Sequence, residues 1–138
     1  MGDEFNAKHG NVIAIPFYKT NLTTGEANTD MVLPSGGTLH TMPKAGSVVG
    51  ISLRVTEAIS AGTITGRVHS SGTEIATTGY PTAVLGSAST GSYGTVRPGA
   101  LTFSAGAALG ISVTTTTTLD ATDTLDIDGL LFVVLDPD

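Results

Sequence analysis

Four aspartates close together near the C-terminal end are the best candidate for a metal site. They are Asp120, Asp123, Asp126 and Asp128. Hard cations such as Ca²⁺ bind several carboxylate oxygens, and the stretch Asp-Ile-Asp-Gly resembles part of a calcium loop, but the further ligands and the closing glutamate are missing. Asp126 and Asp128 alternate with apolar residues, as on the outward face of a strand. The sequence therefore favours a polar turn followed by a strand over a metal site.

The histidines offer little support for catalysis. His9, His40 and His69 are far apart, and none has a second ligand at a metal-binding spacing. A nucleophilic set could join His69 with Glu74 and a serine or threonine, but hydroxyl residues are so abundant that every histidine has one nearby. No nucleophile elbow is present. We therefore predict no catalytic residue, no metal and no cofactor, and we expect that the chain is not an enzyme.

A glycine-containing stretch occurs twice, as AGSVVGISLRV in residues 45–55 and as AGAALGISVTT in residues 105–115. A phosphate-binding loop would need a Lys-Ser/Thr pair and a following helix, and both are absent. The alternation of apolar and polar residues continues through both copies, which is typical of a strand. We predict a strand entry, in which the first glycine adopts a positive φ and the second admits a neighbouring group close to the sheet.

The composition limits the classes of partner. The chain has 138 residues, enough for one domain with a core, and only 13% of them are charged, about half the usual share. The net charge of −6 and the absence of a basic stripe argue against nucleic acid. The absence of cysteine excludes disulfides. No apolar run is long enough to span a membrane, and the first residues do not form a secretory signal.

The elements that must position these residues are short strands. No segment longer than about eight residues has the period of an amphipathic helix. Alternating stretches separated by glycine-containing turns predict an all-β chain, a single jelly-roll or β-sandwich domain of about eight antiparallel strands. We expect a flexible N-terminal arm over residues 1–10, the jelly-roll domain over residues 11–138, and a loop over Ser87–Gly99. In the strand after Ala45, the residues expected to face inward are Val49, Ile51, Leu53 and Val55.

Three segments carry a resemblance to a known family. They read MPKAGSVVGISLRVTEAISAGTITGRV, TFSAGAALGISVTTTTTL and DTLDIDGLLFVVLD, and together they extend over residues 42 to 136. This pattern resembles that of phage virion jelly-roll proteins, which include capsid decoration (cement) proteins and the head domains of tail or collagen-like fibres. The chain has Ala107-Ala108 where the pattern has a charged residue. The resemblance implies a homotrimer in a virion, made in the host cytoplasm, with the major capsid protein as partner.

Two sets of residues are predicted to make the contacts of such a protein. The first strand is apolar on both faces, with Pro16 at a sheet edge or strand end. The predicted capsid contacts, in the arm and this strand, are Phe5, Lys8, Val12, Ile13, Ile15 and Phe17. The last strand is also apolar on both faces, as at an interface between subunits, and large groups in the glycine-rich loop favour contact as well. The predicted subunit contacts are Leu130, Phe132, Val134, Tyr93 and Arg97.

The function predicted from these observations is structural. A decoration protein on the outer capsid surface would stabilise the shell through many weak contacts that add by multivalency. The alternative is the receptor- or glycan-binding head of a tail fibre, for which the Ser87–Gly99 stretch is the candidate surface. The absence of tryptophan weighs against the stacking of sugars.

Overall fold

The computed structural model describes residues 12–70, 73–74, 81–117, 119–120 and 125–137, and the predicted arm lies outside them. In this part of the chain no helix is long and apolar enough to cross a membrane. The described residues form strands β1 Val12–Leu22, β2 Thr29–Asp30, β3 His40–Thr41, β4 Gly46–Val55, β5 Ile64–Ser70, β6 Thr73–Glu74, β7 Thr82–Leu85, β8 Gly91–Thr95, β9 Leu101–Phe103, β10 Ala108–Thr115 and β11 Leu125–Leu135.

The strands form two antiparallel sheets. Sheet A has the order β1-β11-β4-β8, and β9 pairs with β4 on the edge that β8 also occupies. Sheet B has β10 and β5 at its centre, with β2 and β3 along one edge and β6 and β7 along the other. β8 and β9 share one edge of sheet A, and in sheet B β2 shares an edge with β3, and β6 shares the other edge with β7. Counting each such pair as one strand gives eight strands, four in each sheet. Strands from opposite ends of the chain, such as β1 and β11, lie side by side. The fold is a jelly roll.

One hydrophobic core lies between the sheets. Ile51, Ile111 and Leu131 are fully buried in it, because side chains alternate between the two faces of a strand. The inward residues predicted for the strand after Ala45 are confirmed at all positions except Val49. Phe132 pairs with Gly50 and Val133 with Val48, so a bulge omits Val49 from the ladder and turns Val48 inward instead.

The two copies of the glycine stretch do not enter their strands in the same way. Gly106 precedes β10 and has a φ of 85°, as predicted, but Gly46 has no positive φ. A Cβ at Gly46 would overlap the carbonyl oxygen of Val134, so this glycine is needed for close approach of β11. The second glycine acts as predicted in both copies. A Cβ on Gly50 would lie 3.3 Å from the Gly94 carbonyl oxygen, a tight contact, and one on Gly110 would lie 2.5 Å from the Thr38 carbonyl oxygen.

The opposite faces of β11 lead to a stability prediction for two adjacent leucines. Leu131 is fully buried in the core, whereas Leu130 is 37% exposed on the other side of the sheet. We expect Leu131→Ala to lower the free energy of unfolding by about 3 kcal/mol because it leaves a cavity. We expect Leu130→Ala to lower it by less than about 1 kcal/mol. Urea denaturation of both variants measures the difference, and equal losses would contradict the assignment of the two faces.

Candidate interaction surface

The outward side of sheet A carries five of the contact residues that the sequence analysis selected, namely Val12, Leu130, Phe132, Val134 and Tyr93. Alternation along the strands brings them together in cross-strand rows, such as Pro16, Leu130, Ser52 and Tyr93. We call this surface the outer face of sheet A. It consists of Val12, Ala14, Pro16 and Tyr18 from β1, Asp128, Leu130, Phe132 and Val134 from β11, Gly50, Ser52 and Arg54 from β4, and Tyr93 and Thr95 from β8.

The structure divides the predicted capsid contacts into two groups. Val12 is 62% exposed and Ile13 is 41% exposed, so both are available to a partner. Ile15 and Phe17 are buried in the core of the sandwich, so direct side-chain contact with a partner is not available to them. Their effect on a partner can only be indirect, because they hold β1 against the core. Phe5 and Lys8 lie outside the described residues.

The predicted subunit contacts lie on the same surface as β1. Leu130 and Phe132 are Cα partners of Pro16 and Ala14, so the predicted capsid and subunit surfaces are neighbours within one face. Val134 points outward but is buried, beside Val12 on one side and Ser47 on the other.

The stretch predicted as a loop, Ser87–Gly99, contains a strand. Residues Gly91–Thr95 form β8, which pairs with Gly50 to Arg54 of β4, so this prediction was wrong. Glycine and serine have a low preference for strands, but pairing with β4 overrides that preference. Tyr93 is 75% exposed at the margin of the outer face, and Arg97 is exposed beyond the end of β8.

A groove of about 360 Å³ lies on the outer face, toward the end that carries Arg54 and Asp128. Pro16 and Leu130 give it apolar walls, and the small side chain of Ser52 lies beside them. Arg54 and Asp128, which are Cα partners across the β4–β11 ladder, line it as well. The groove is therefore mostly apolar, with a pair of opposite charges in its lining.

The candidate metal ligands are dispersed. The backbone of Asp120 bridges to Ala61, the Oδ1 atom of Asp126 accepts a hydrogen bond of 3.1 Å from the Asn21 N–H, and Asp128 lies on the outer face. Asp123 lies outside the described residues. Within the described ranges, no group of three or more metal-ligating side chains comes together.

A buried polar cluster on sheet B was not predicted from the sequence. The Nε2 atom of His69 lies 3.4 Å from Oδ1 of Asp30, and the two residues pair with neighbouring positions of β10, His69 with Gly110 and Asp30 with Ser112. His69 Nδ1 and the hydroxyl of Ser112 are buried and have no hydrogen-bond partner among the described groups. The sequence analysis considered a set that joins His69 with Glu74 and did not favour it. Glu74 is the Cα partner of His69 across β5 and β6, whereas the described carboxylate contact comes from Asp30. No local spacing connects residues 30 and 69, so only the strand order could have identified this pair.

Comparison with known proteins adds to the description of the fold. No protein-family model matches the chain, and no curated protein matches it. It is similar to a chain of the acidic stable capsid structure of Helicobacter pylori bacteriophage KHP30, with 14% identity and a TM-score of 0.46 over 91% of this chain and 90% of that one. It is also similar to a chain of the cyanophage Pam1 capsid asymmetric unit, with 17% identity and a TM-score of 0.47 over 92% and 86%.

These two are phage capsid structures. A third similar structure is Eiger TNF from S. frugiperda, with 12% identity and a TM-score of 0.38 over 92% of this chain and 95% of that one. At these identities the likeness concerns the fold, and the strand order of the two sheets already establishes the jelly roll.

Proposed function

We propose that this chain is a structural protein of a phage virion, a decoration (cement) protein that attaches to the outer capsid surface as an oligomer and stabilises the shell. The observation that carries the proposal is the apolar outer face of sheet A. The motifs in residues 42 to 136 that resemble virion jelly rolls support the same role. The role needs no chemistry, so we also propose that the chain is not an enzyme and uses no cofactor.

Most of the exposed large hydrophobic side chains among the described residues lie on the outer face of sheet A, whereas Ile13 points to the opposite face of the same sheet. Of the large hydrophobic residues that are exposed in the described ranges, only Val84 belongs to sheet B, and the others belong to sheet A: Val12, Ile13, Tyr18, Tyr93 and Leu130. An antiparallel sheet that faces water normally carries polar side chains on that side. A contiguous exposed apolar patch of this kind marks an interaction site.

The outward side of sheet B provides the contrast. Its central strands carry the half-buried polar residues Thr65 and Arg67 on β5 and Thr114 on β10, although Ser112, opposite Arg67, is buried. This is the polar pattern expected of a sheet that faces solvent. We therefore assign sheet B to the solvent side of the attached protein and sheet A to the partner side.

The outer face is divided between two partners in this proposal. Leu130 and Phe132, in the middle of the face, together with Tyr93 at its margin, contact further copies of the chain in a trimer, and the buried Val134 supports them from below. The margin formed by β1 contacts the major capsid protein, through Val12, Ile13 and the residues that precede them. Each copy contributes a small contact, and the trimer adds the contacts by multivalency.

Binding to isolated particles tests the proposal. Purified protein is mixed in parallel with capsids of the encoding phage that lack it and with host cells, and both are sedimented. We expect the protein to sediment with capsids and not with cells, and to have three times the chain mass of 13.9 kDa in native mass spectrometry. Sedimentation with cells alone would favour the receptor-binding head of a tail fibre. Binding to neither would contradict both functions.

A further inference from the structure

The outer face of sheet A carries one positive and one negative charge, in a chain of which only 13% of the residues are charged. Arg54 of β4 and Asp128 of β11 are both exposed, and they are Cα partners across the ladder. The other members of the face are uncharged. Asp126, the preceding outward residue of β11, is already engaged, because its Oδ1 atom accepts the hydrogen bond from the Asn21 N–H. A partner on this face therefore meets the charges of Arg54 and Asp128.

These two charges do not neutralise each other within the chain. Opposite charges at facing positions of an antiparallel pair are close enough to interact. Within the described ranges, however, neither the Arg54 guanidinium nor the Asp128 carboxylate forms an ion pair or a side-chain hydrogen bond. Both charges are therefore available to a partner that covers the face.

The two charges have different surroundings. On the side away from β11, Arg54 pairs with Gly91 of the edge strand β8, and because Gly91 has no side chain, Arg54 is open toward the edge of the sheet. Asp128 lies one strand further into the face and lines the groove whose apolar walls are Pro16 and Leu130. An arginine has a long aliphatic stem that packs on apolar walls while its guanidinium binds a carboxylate. The groove of one copy therefore suits the Arg54 side chain of another.

We propose that Arg54 of each copy enters the groove of the next copy in the trimer and forms an ion pair with Asp128 there. The inference rests on the proposed function, which places further copies of the chain on this face. Each copy gives its arginine to one neighbour and receives an arginine from the other, so three such contacts close a ring. Because Arg54 and Asp128 are adjacent, both can meet other copies only where the three faces converge, close to the symmetry axis.

A second copy is the occupant that the charges favour. Like charges brought together at an interface weaken it by several kcal/mol. With one positive and one negative charge on each copy, every charge in the ring meets an opposite one. A partner without charges at this place would cover Arg54 and Asp128 and leave both without a counter-charge, which is costly.

Charge reversal at the two positions tests the ion pair. Arg54→Asp and Asp128→Arg each place like charges in every contact of the ring. We expect each to weaken self-association by about tenfold or more, measured by native mass spectrometry over a dilution series. The double variant Arg54→Asp/Asp128→Arg restores opposite charges, and we expect it to assemble within about threefold of the unmodified chain. Urea denaturation checks that all three variants remain folded.

Mixing the two single variants shows whether the pair forms between copies. Each contact between an Arg54→Asp chain and an Asp128→Arg chain joins opposite charges, so we expect trimers that contain both variants at concentrations where neither variant assembles alone. An ion pair within one chain would be restored in the double variant but not in the mixture, so the absence of mixed trimers would overturn the proposal. Arg67→Asp on sheet B and Asp120→Arg outside sheet A are the controls with the same changes of net charge. We expect both to assemble like the unmodified chain, and an equal loss in them would overturn the proposal.

The same measurements separate this inference from the proposed function. An unmodified chain that stays monomeric would contradict the proposed trimer and, with it, the ion pair. A trimer whose two single variants assemble as well as the unmodified chain would overturn the ion pair alone. Mixed dimers in place of mixed trimers would support the ion pair between copies and contradict the three-fold symmetry.

Discussion

The substitution Leu130→Asp is expected to weaken attachment to the capsid and self-association by about 100-fold, or about 2.7 kcal/mol of binding free energy. Leu130 lies between Pro16 and Ser52 in the middle of the outer face of sheet A. A partner that covers this face removes water from position 130, and a carboxylate without a partner is costly to bury. Residues at the centre of an interface typically contribute the most to binding. Titration of labelled protein onto capsids and native mass spectrometry measure the two effects.

Val84→Asp is the matched control. Val84 is 50% exposed and lies on β7 of sheet B. Val84→Asp therefore also replaces an exposed aliphatic side chain with a carboxylate, but on the other sheet. We expect its binding to change by less than about threefold, since charges outside an interface contribute little. Urea denaturation of both variants checks that they remain folded. Equal loss of binding in the two variants, or none at Leu130, would show that the outer face is not the attachment surface.

The substitution Gly94→Ala is expected to lower the free energy of unfolding by about 3 kcal/mol. Gly94 lies in β8 of sheet A, where β8 passes β7 of sheet B. A Cβ at this position would overlap the carbonyl oxygen of Thr82 and lie 2.8 Å from the Thr82 carbonyl carbon and amide nitrogen. These are backbone atoms, so no side-chain rotation can relieve the clash, and the edges of the two sheets would have to move apart.

Gly91→Ala is the control for this substitution, because Gly91 belongs to the same strand. The nearest atom to a Cβ at Gly91 would be the Leu53 carbonyl oxygen at 3.8 Å, an ordinary contact. We expect a change of less than about 0.5 kcal/mol, as at most surface positions. Urea denaturation curves of the two variants give the comparison. Similar stabilities would mean that β7 and β8 can separate at little cost.

The alternation of apolar residues predicted the all-β class and the inward residues of most strands, because a strand has the same period wherever it lies. The pattern could not predict the bulge at Val49. Val48 and Val49 are identical side chains, and only the pairing with Val133 decides which of them enters the core. The strand β8 was missed for a similar reason, since β4 provides the hydrogen bonds that a glycine-rich segment does not encode locally.

The sequence analysis predicted capsid contacts and subunit contacts as two separate sets, whereas the structure places the outward-facing residues of both sets on one face of sheet A. Val12 and Val134 are far apart in the sequence, but they are Cα partners in sheet A. Local patterns do not specify which distant strands pair, so the sequence could not show that the two sets are neighbours. The sequence also could not show that Ile15 and Phe17 face the core whereas Val12 faces outward. β1 is apolar on both sides, and its pairing with β11 decides which side faces the core.

The position of β11 has a consequence for the order in which the protein can be built. β11 lies between β1 and β4, so the strand that leaves the ribosome last among those described occupies the middle of sheet A. Until it is synthesised, β1 has no ladder partner, and the nascent chain cannot close its core around Leu131 and Val133. Contacts between residues this far apart in the chain make folding slow. We therefore expect the domain to fold after translation of β11 rather than stepwise, and a chain that stops before Leu125 to remain unfolded and susceptible to proteases instead of forming a smaller sandwich.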